Sequence, residues 1–280
     1  MNLVIHGQDV ATPDLKRLHA LAHGRSIERV SPTGFRITGA DPSAREAVAA
    51  HCADARLDWG FVREDARLAD FGLLAMDMDS TLISIECIDE IADFAGRKAE
   101  VAAVTESAMR GEIDWPESLR RRVAALAGLE ESALARVYAE RLRFNPGAER
   151  LVAAAKAAGL TTLLVSGGFT YFTDRVRERL ALDHAYSNVL VVEGGKLAGR
   201  TTGPLVDAAG KAAHVARLKS ELGLGSERVL AIGDGANDLP MMAEAGTSIA
   251  YHAKPVVRAK AAYALDNVGL DGVLNLFPEK

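Results

Sequence analysis

The sequence predicts an α/β fold: a doubly wound parallel sheet with a helical insertion, preceded by a small α+β domain. Three observations carry that expectation. Residues 71–77 (FGLLAMD) and 228–234 (RVLAIGD) are near-continuous apolar runs ending in carboxylates, which suits strands buried on both faces of a parallel sheet. Ala-rich helical segments such as AERLVAAAKAAG alternate with runs of this kind. Residues 1–66 follow another pattern, with short alternating strands and two short helices.

In chain order, the first 66 residues read as a strand (Leu3 to His6), a helix (Pro13 to Ala22), two short strands about Ser31-Pro32-Thr33-Gly34, a helix (Ser43 to Ala53) and a strand (Trp59 to Arg63). That order is βαββαβ, a ferredoxin-like arrangement similar in pattern to an ACT module. Small sheets of this topology expose one face and an edge, so the module is expected either to pair two copies into a homodimer or to sense an amino acid. His19, His23 and His51 lie scattered on short amphipathic helices and read as surface or packing residues.

The second domain is expected over residues 70–275. Its strands begin at Phe71 and continue with Thr161 to Ser166, Arg228 to Asp234 and Thr247 to Tyr251. Residues from about 84 to 144 have helical character without a strand signal, directly after the first strand, and form an insertion capping the strand ends. VLVVEGGKLAGRTTG reads as a hairpin turning at Gly194-Gly195, a flap at the domain edge.

Composition narrows the partners. With 33 basic and 38 acidic residues among 280, the formal charge is −5, which gives no general affinity for nucleic acid or an anionic membrane. Cys52 and Cys87 have no metal-site spacing and cannot make a disulfide framework, which suits a reducing compartment. No basic stretch precedes an apolar run at the start and no apolar stretch reaches spanning length, so the expected location is the cytoplasm.

The chemistry concentrates at strand ends, where open α/β sheets bind their ligands. Asp77 and Asp79 in DMDST follow one strand, and Asp234, Asn237 and Asp238 in GDGAND follow another. Clustered carboxylates are costly to bury without a cation, and hard oxygen ligands suit Mg²⁺. An EF-hand is excluded because its alternating ligands and distal glutamate are missing. Ser166-Gly167-Gly168 ends the TTLLV strand and is expected to open a helix, offering a hydroxyl and backbone N–H groups to an anion. Lys211 is expected just ahead of a helix running from Ala212 to Leu222. A P-loop is ruled out because GxxxxGK[ST] does not occur.

DMDST, SGG, a lysine and GDGAND in this order resemble the four-motif signature of the haloacid dehalogenase superfamily, with a Rossmann-like core. ECIDEIADFAG, SAMRGEIDWPESLRRRV, VSGGF, GDGANDLPMM and AYHAKP resemble stretches of its phosphoserine phosphatases, over roughly residues 70 to 270. The resemblance implies a Mg²⁺-dependent phosphomonoester hydrolase converting O-phospho-L-serine to L-serine and phosphate through an aspartyl-phosphate, the last step of L-serine biosynthesis. It makes Asp77 the nucleophile and Asp79 the general acid and base, with Lys211, rather than Lys254, neutralising the transferring group. It places the metal on the Asp77 and Asp234 side chains and the Asp79 carbonyl, with Asp238 supporting them. Ser166, Gly167 and Asn237 would hold phosphate, while Glu86 and Arg122 would read the substrate's ammonium and carboxylate. Met109 and Trp115 are candidates for an apolar lid. Other phosphometabolites, such as phosphothreonine or phosphohomoserine, and a catalytically dead amino-acid-binding regulator are the alternatives.

Overall fold

The computed structural model describes residues 1–110 and 112–277. The N-terminal part contains β1 (Asn2–His6), α1 (Thr12–Leu21), β2 (Ser26–Ser31), β3 (Gly34–Thr38), α2 (Arg45–Ala55) and β4 (Asp58–Val62). These strands form an antiparallel sheet in the order β2-β3-β1-β4. Period-two alternation divides β1: Leu3 and Ile5 join a small core with Leu18, Val48 and Cys52, whereas Val4 points the other way and joins the main core of the molecule.

The rest begins with β5 (Leu73–Met76). The cap follows, with α3 (Cys87–Phe94), α4 (Lys98–Met109), α5 (Trp115–Ala124) and α6 (Ser132–Arg136). Next come α7 (Ala148–Ala157), β6 (Thr161–Phe169), α8 (Thr170–Leu180), β7 (His184–Glu193), β8 (Lys196–Thr202) and α9 (Ala208–Glu221). The chain closes with β9 (Val229–Gly233), α10 (Leu239–Ala243), β10 (Thr247–Tyr251), α11 (Pro255–Arg258), β11 (Tyr263–Leu265) and a tight 3-10 segment at Leu270–Leu276. A seven-stranded sheet has the order β11-β10-β9-β5-β6-β7-β8, parallel except for the β7–β8 hairpin at one edge.

β5 lies in the middle and is buried on both faces, with Leu74 and Met76 in one core layer and Leu73 and Ala75 in the other. The chain builds one side of the sheet through β6 to β8, then returns to place β9 on the other side of β5. The crevice between β5 and β9 is therefore the topological switch point, the place where such sheets bind ligands. No described helix is long and apolar enough to cross a membrane.

Three expectations are corrected. The second face of the N-terminal sheet is not open: β11 and the 270–276 segment cover it. Tyr263 donates its hydroxyl to the Phe61 carbonyl at 3.0 Å, and Arg36 donates to the Asn275 carbonyl at 3.1 Å. The Asp58 carboxylate accepts from the backbone N–H groups of Asp266 and Asn267 at 2.9 and 2.8 Å. Gly60 is needed at this contact, because a Cβ there would lie 2.4 Å from the Tyr263 ring. Second, the helix does not start at Ser166-Gly167-Gly168 but two residues further on, at Thr170. β6 runs to Phe169, held by Asn188, which donates to the Gly167 carbonyl at 2.9 Å. Third, Lys211 lies within α9, whose N-cap Asp207 accepts from Gly210 N–H at 2.8 Å.

Candidate active site

The strand ends bring distant residues together. Met76 pairs in register with Ile232, so the turns following β5 and β9 leave the sheet side by side. Asp77 N–H donates to the Ile232 carbonyl at 3.0 Å, keeping the first residue of the turn on the sheet. The chain then makes one wide turn over Met78–Leu82, closed by Ile83 N–H to the Met78 carbonyl at 3.0 Å. Ser80 takes a left-handed conformation (φ 57°), which costs a non-glycine residue about 1–3 kcal/mol. Two contacts hold it there: its N–H donates to the Ile85 carbonyl at 3.2 Å, and its hydroxyl to Glu86 Oε1 at 2.6 Å.

A cavity of about 590 Å³ opens over this turn, of the size usual for small-molecule sites. Asp77, Asp79, Glu86, Arg122, Ser166, Gly167, Lys211, Asp234, Asn237 and Lys254 all line it. Asp238 sits just behind, fully buried. Trp115 lies at the cap side, close enough to β6 that a Cβ on Gly167 would be 3.0 Å from its ring. The side chain of Met109, the other lid candidate, lies outside the described residues.

Lys211 links the two carboxylate turns. Its side chain is 1% exposed, and its Nζ donates to Asp77 Oδ1 at 2.5 Å and to Asp238 Oδ1 at 2.7 Å. Burial alone would lower its pKa, but Asp238 and Asp77 outweigh burial and raise it, so the ammonium stays charged. Lys254 is exposed at the rim and meets the GDGAND turn only through its backbone N–H, which donates to the Asp234 carbonyl at 3.1 Å. Position thus separates the two lysines that the sequence offered.

Asp234, Asp77 and Asp238 each place a carboxylate oxygen within 4.8 Å of the others. Burial first, and then Asp238, raise the Asp77 pKa well above the ordinary carboxylate range and that of Asp234 to about 6. One lysine does not balance three acids this close, and all-oxygen donors of this kind fit a small divalent cation such as Mg²⁺. Asp238 is already occupied: Oδ1 takes the lysine, and Oδ2 accepts the N–H groups of Asp234 and Gly235 at 3.1 and 2.9 Å. Asp77 and Asp234 are therefore the carboxylates left to face a cation.

The Asp79 side chain turns away from this trio. It accepts from Cys87 N–H at 3.1 Å and stands 3.5 Å from Ser166 Oγ. Burial, then Glu86, raise its pKa to about 7, which suits a carboxyl that holds a proton. Gly168 makes this approach feasible, since a Cβ there would lie 2.7 Å from Asp79 Oδ2.

Glu86 and Arg122 form the cap end of the cavity. Glu86 is exposed, yet partial desolvation and then neighbouring Asp89 raise its pKa, while burial lowers that of Arg122 against the pull of Asp89 and Glu86. Arg120 and Arg121 instead pair with Glu117 on the outer face of α5. Among the described residues Arg122 makes no ion pair, and its Nε donates to the Ser118 carbonyl at 3.4 Å. Three supporting residues escaped sequence reasoning. Thr81 donates to Asp234 Oδ1 at 2.9 Å, and Asn145 donates to the Thr81 and Ile83 carbonyls at 2.7 and 3.1 Å. Asp89 also lines the cavity. The Thr of DMDST and the turn signal Asn145-Pro146-Gly147 were visible, but nothing local tied them to a turn 64 residues away.

Residues 74–243 match the family model for haloacid dehalogenase-like hydrolases, and the chain belongs to that family. Within it, the chain is similar to phosphoserine phosphatases: that of Albidiferax ferrireducens is 57% identical over 216 residues, covering 75% of this chain and 91% of the relative. A haloacid dehalogenase family hydrolase from Salmonella enterica serovar Typhi superposes with a TM-score of 0.90 at 31% identity, over 100% of both chains. A phospho-aspartyl intermediate analogue of phosphoserine phosphatase superposes with a TM-score of 0.69 at 35% identity, covering 74% of this chain and 99% of that one. Residues 3–48 match a domain of unknown function, DUF4072.

Proposed function

We propose that the chain hydrolyses O-phospho-L-serine to L-serine and phosphate by way of a phosphorylated Asp77. The observation that carries the substrate is the cap end of the cavity. Glu86 and Arg122, of opposite charge, line the same cavity as Asp77 and Asp79. An amino acid esterified with phosphate presents an ammonium and a carboxylate at one end and the reacting group at the other.

In the first step a carboxylate oxygen of Asp77 attacks phosphorus and the bond to the serine oxygen breaks. Asp79 gives its proton to the departing alkoxide, then takes one from the water that attacks phosphorus, releasing phosphate and restoring Asp77. Lys211 favours the ionised form of Asp77 against burial and Asp238, and it offsets charge on the phosphoryl group. Ser166, Gly167 and Asn237 face the cavity to orient the phosphate oxygens. Mg²⁺, held by the Asp77 and Asp234 carboxylates and the Asp79 carbonyl oxygen with Asp238 behind them, would supply charge neutralisation and orientation.

Phosphate release from a panel of phosphorylated amino acids, with Mg²⁺ and with chelator, tests the reading. Phosphoserine is expected to turn over fastest, and a clear preference for phosphothreonine or phosphohomoserine would overturn the substrate. Arg122→Ala is expected to lower kcat/KM for phosphoserine by about 2–4 kcal/mol relative to a phosphate ester lacking a carboxylate. An equal loss on both esters would show that Arg122 supports the cap and does not read the substrate. Asp79→Asn is expected to slow phosphoserine far more than p-nitrophenyl phosphate, whose leaving group needs no proton. Equal slowing would remove Asp79 from the acid role.

A further inference from the structure

Resting on the phosphoserine reading, we infer that Asp89 is the second carboxylate of the ammonium-binding end of the pocket, acting with Glu86 as a specificity-determining residue. Asp89 stands in the first turn of α3, three residues after Glu86, which is the N-cap of that helix, so the two side chains leave the same end of it. Asp89 N–H donates to the Glu86 carbonyl at 3.1 Å, which fixes that spacing.

An acidic residue at this helical position commonly bonds back to the N–H of the capping residue. Here that bond is not made: among the described residues the Asp89 carboxylate takes part in no hydrogen bond or ion pair, and it is the Asp89 backbone N–H that meets Glu86. It lines the cavity with Glu86 and Arg122, an acceptor without a partner facing the substrate space.

An ammonium has three donors and needs several acceptors when water is excluded. Glu86 is already partly engaged, one of its oxygens accepting the Ser80 hydroxyl at 2.6 Å, so a second carboxylate adds acceptors for the remaining donors. Asp89 supplies the missing acceptor, and Arg122 offsets its charge while the pocket is free of substrate. The end of the pocket thus presents two carboxyl groups beside one guanidinium, complementary to a cationic amine beside a single carboxylate.

Three compounds separate this role from its rivals: phosphoserine, 3-phosphoglycerate, in which a hydroxyl replaces the ammonium, and phosphoethanolamine, which keeps the ammonium without the carboxylate. kcat/KM would be measured for each, or the inhibition constant where turnover is too slow. Asp89→Asn is expected to weaken phosphoserine and phosphoethanolamine by about tenfold or more, mainly in KM, while 3-phosphoglycerate changes by less than about threefold. Asp89→Glu should recover part of the loss. If Asp89 acts only by holding Arg122, the losses will follow the carboxylate and spare phosphoethanolamine, which overturns the inference. Uniform losses on all three compounds would overturn it as well. Each comparison is a ratio within one preparation, so partial misfolding of a variant does not affect it. A wild-type enzyme without preference for phosphoserine would mark failure of the substrate reading itself, before any variant is compared.

Discussion

Asp77→Asn is expected to lower kcat by about four orders of magnitude or more, the usual cost of losing a covalent nucleophile. Asn keeps the shape of the side chain and its place at the end of β5 but has no anionic oxygen to attack phosphorus. It also removes the negative partner of Lys211, whose Nζ would retain Asp238 at 2.7 Å. The fold should therefore survive, and circular dichroism with thermal melting would confirm that the loss is chemical. Beryllium fluoride with Mg²⁺ should form a stable acyl-phosphate mimic on the wild-type side chain, visible by mass or by 19F resonance, and none on the variant. Turnover by the Asn variant within about tenfold of wild type would remove Asp77 from the nucleophile role.

The second large effect concerns residues 1–66. Deleting them is expected to yield a chain that melts at least about 10 °C lower or does not stay soluble, since about 5 kcal/mol in a domain of this size corresponds to such a shift. Val4 and Val62 share a core with Phe71, Leu265, Val273 and Phe277, and their removal uncovers that surface. Each large apolar side chain returned to water costs about 1.5–3 kcal/mol, against a total stability of about 5–15 kcal/mol. The deletion also removes the Asp58 carboxylate, which receives the N–H groups of Asp266 and Asn267. A solved phosphoserine phosphatase aligns with only 74% of this chain while 99% of its own is covered, so the catalytic architecture can close without such a module. The prediction thus rests on the apolar and hydrogen-bonding groups that this chain places at the contact. An unchanged melting temperature after deletion would show that the contact adds nothing to stability. Because the covered face is already occupied, self-association through the module would fall to the exposed β2 edge, where Ile27 is 39% exposed.

Much of the fold was legible because its signals are local. FGLLAMD and RVLAIGD are apolar over a strand's length, and each ends in an aspartate where the chain turns from strand to loop. Those runs alone place Asp77, Asp79 and Asp234 at strand ends, and the order of the motifs points to the family. The βαββαβ order of the N-terminal module also followed from alternation and turn residues alone.

What only the tertiary structure decided are relations between segments far apart in the chain, where burial and pairing settle the outcome. Lys211 and Lys254 look alike in sequence; one is buried between Asp77 and Asp238, and the other is left at the rim. Ser166-Gly167-Gly168 looked like the start of a helix, but Asn188, 21 residues beyond Gly167, binds its carbonyl and keeps the backbone extended. The N-terminal sheet looked open on one face because no local signal reveals that residues some 200 positions later will cover it, with Asp58 meeting Asp266 and Asn267. Sequence periodicity states which side chains must leave water, while the partner that removes them from it is chosen by the packing of the whole chain.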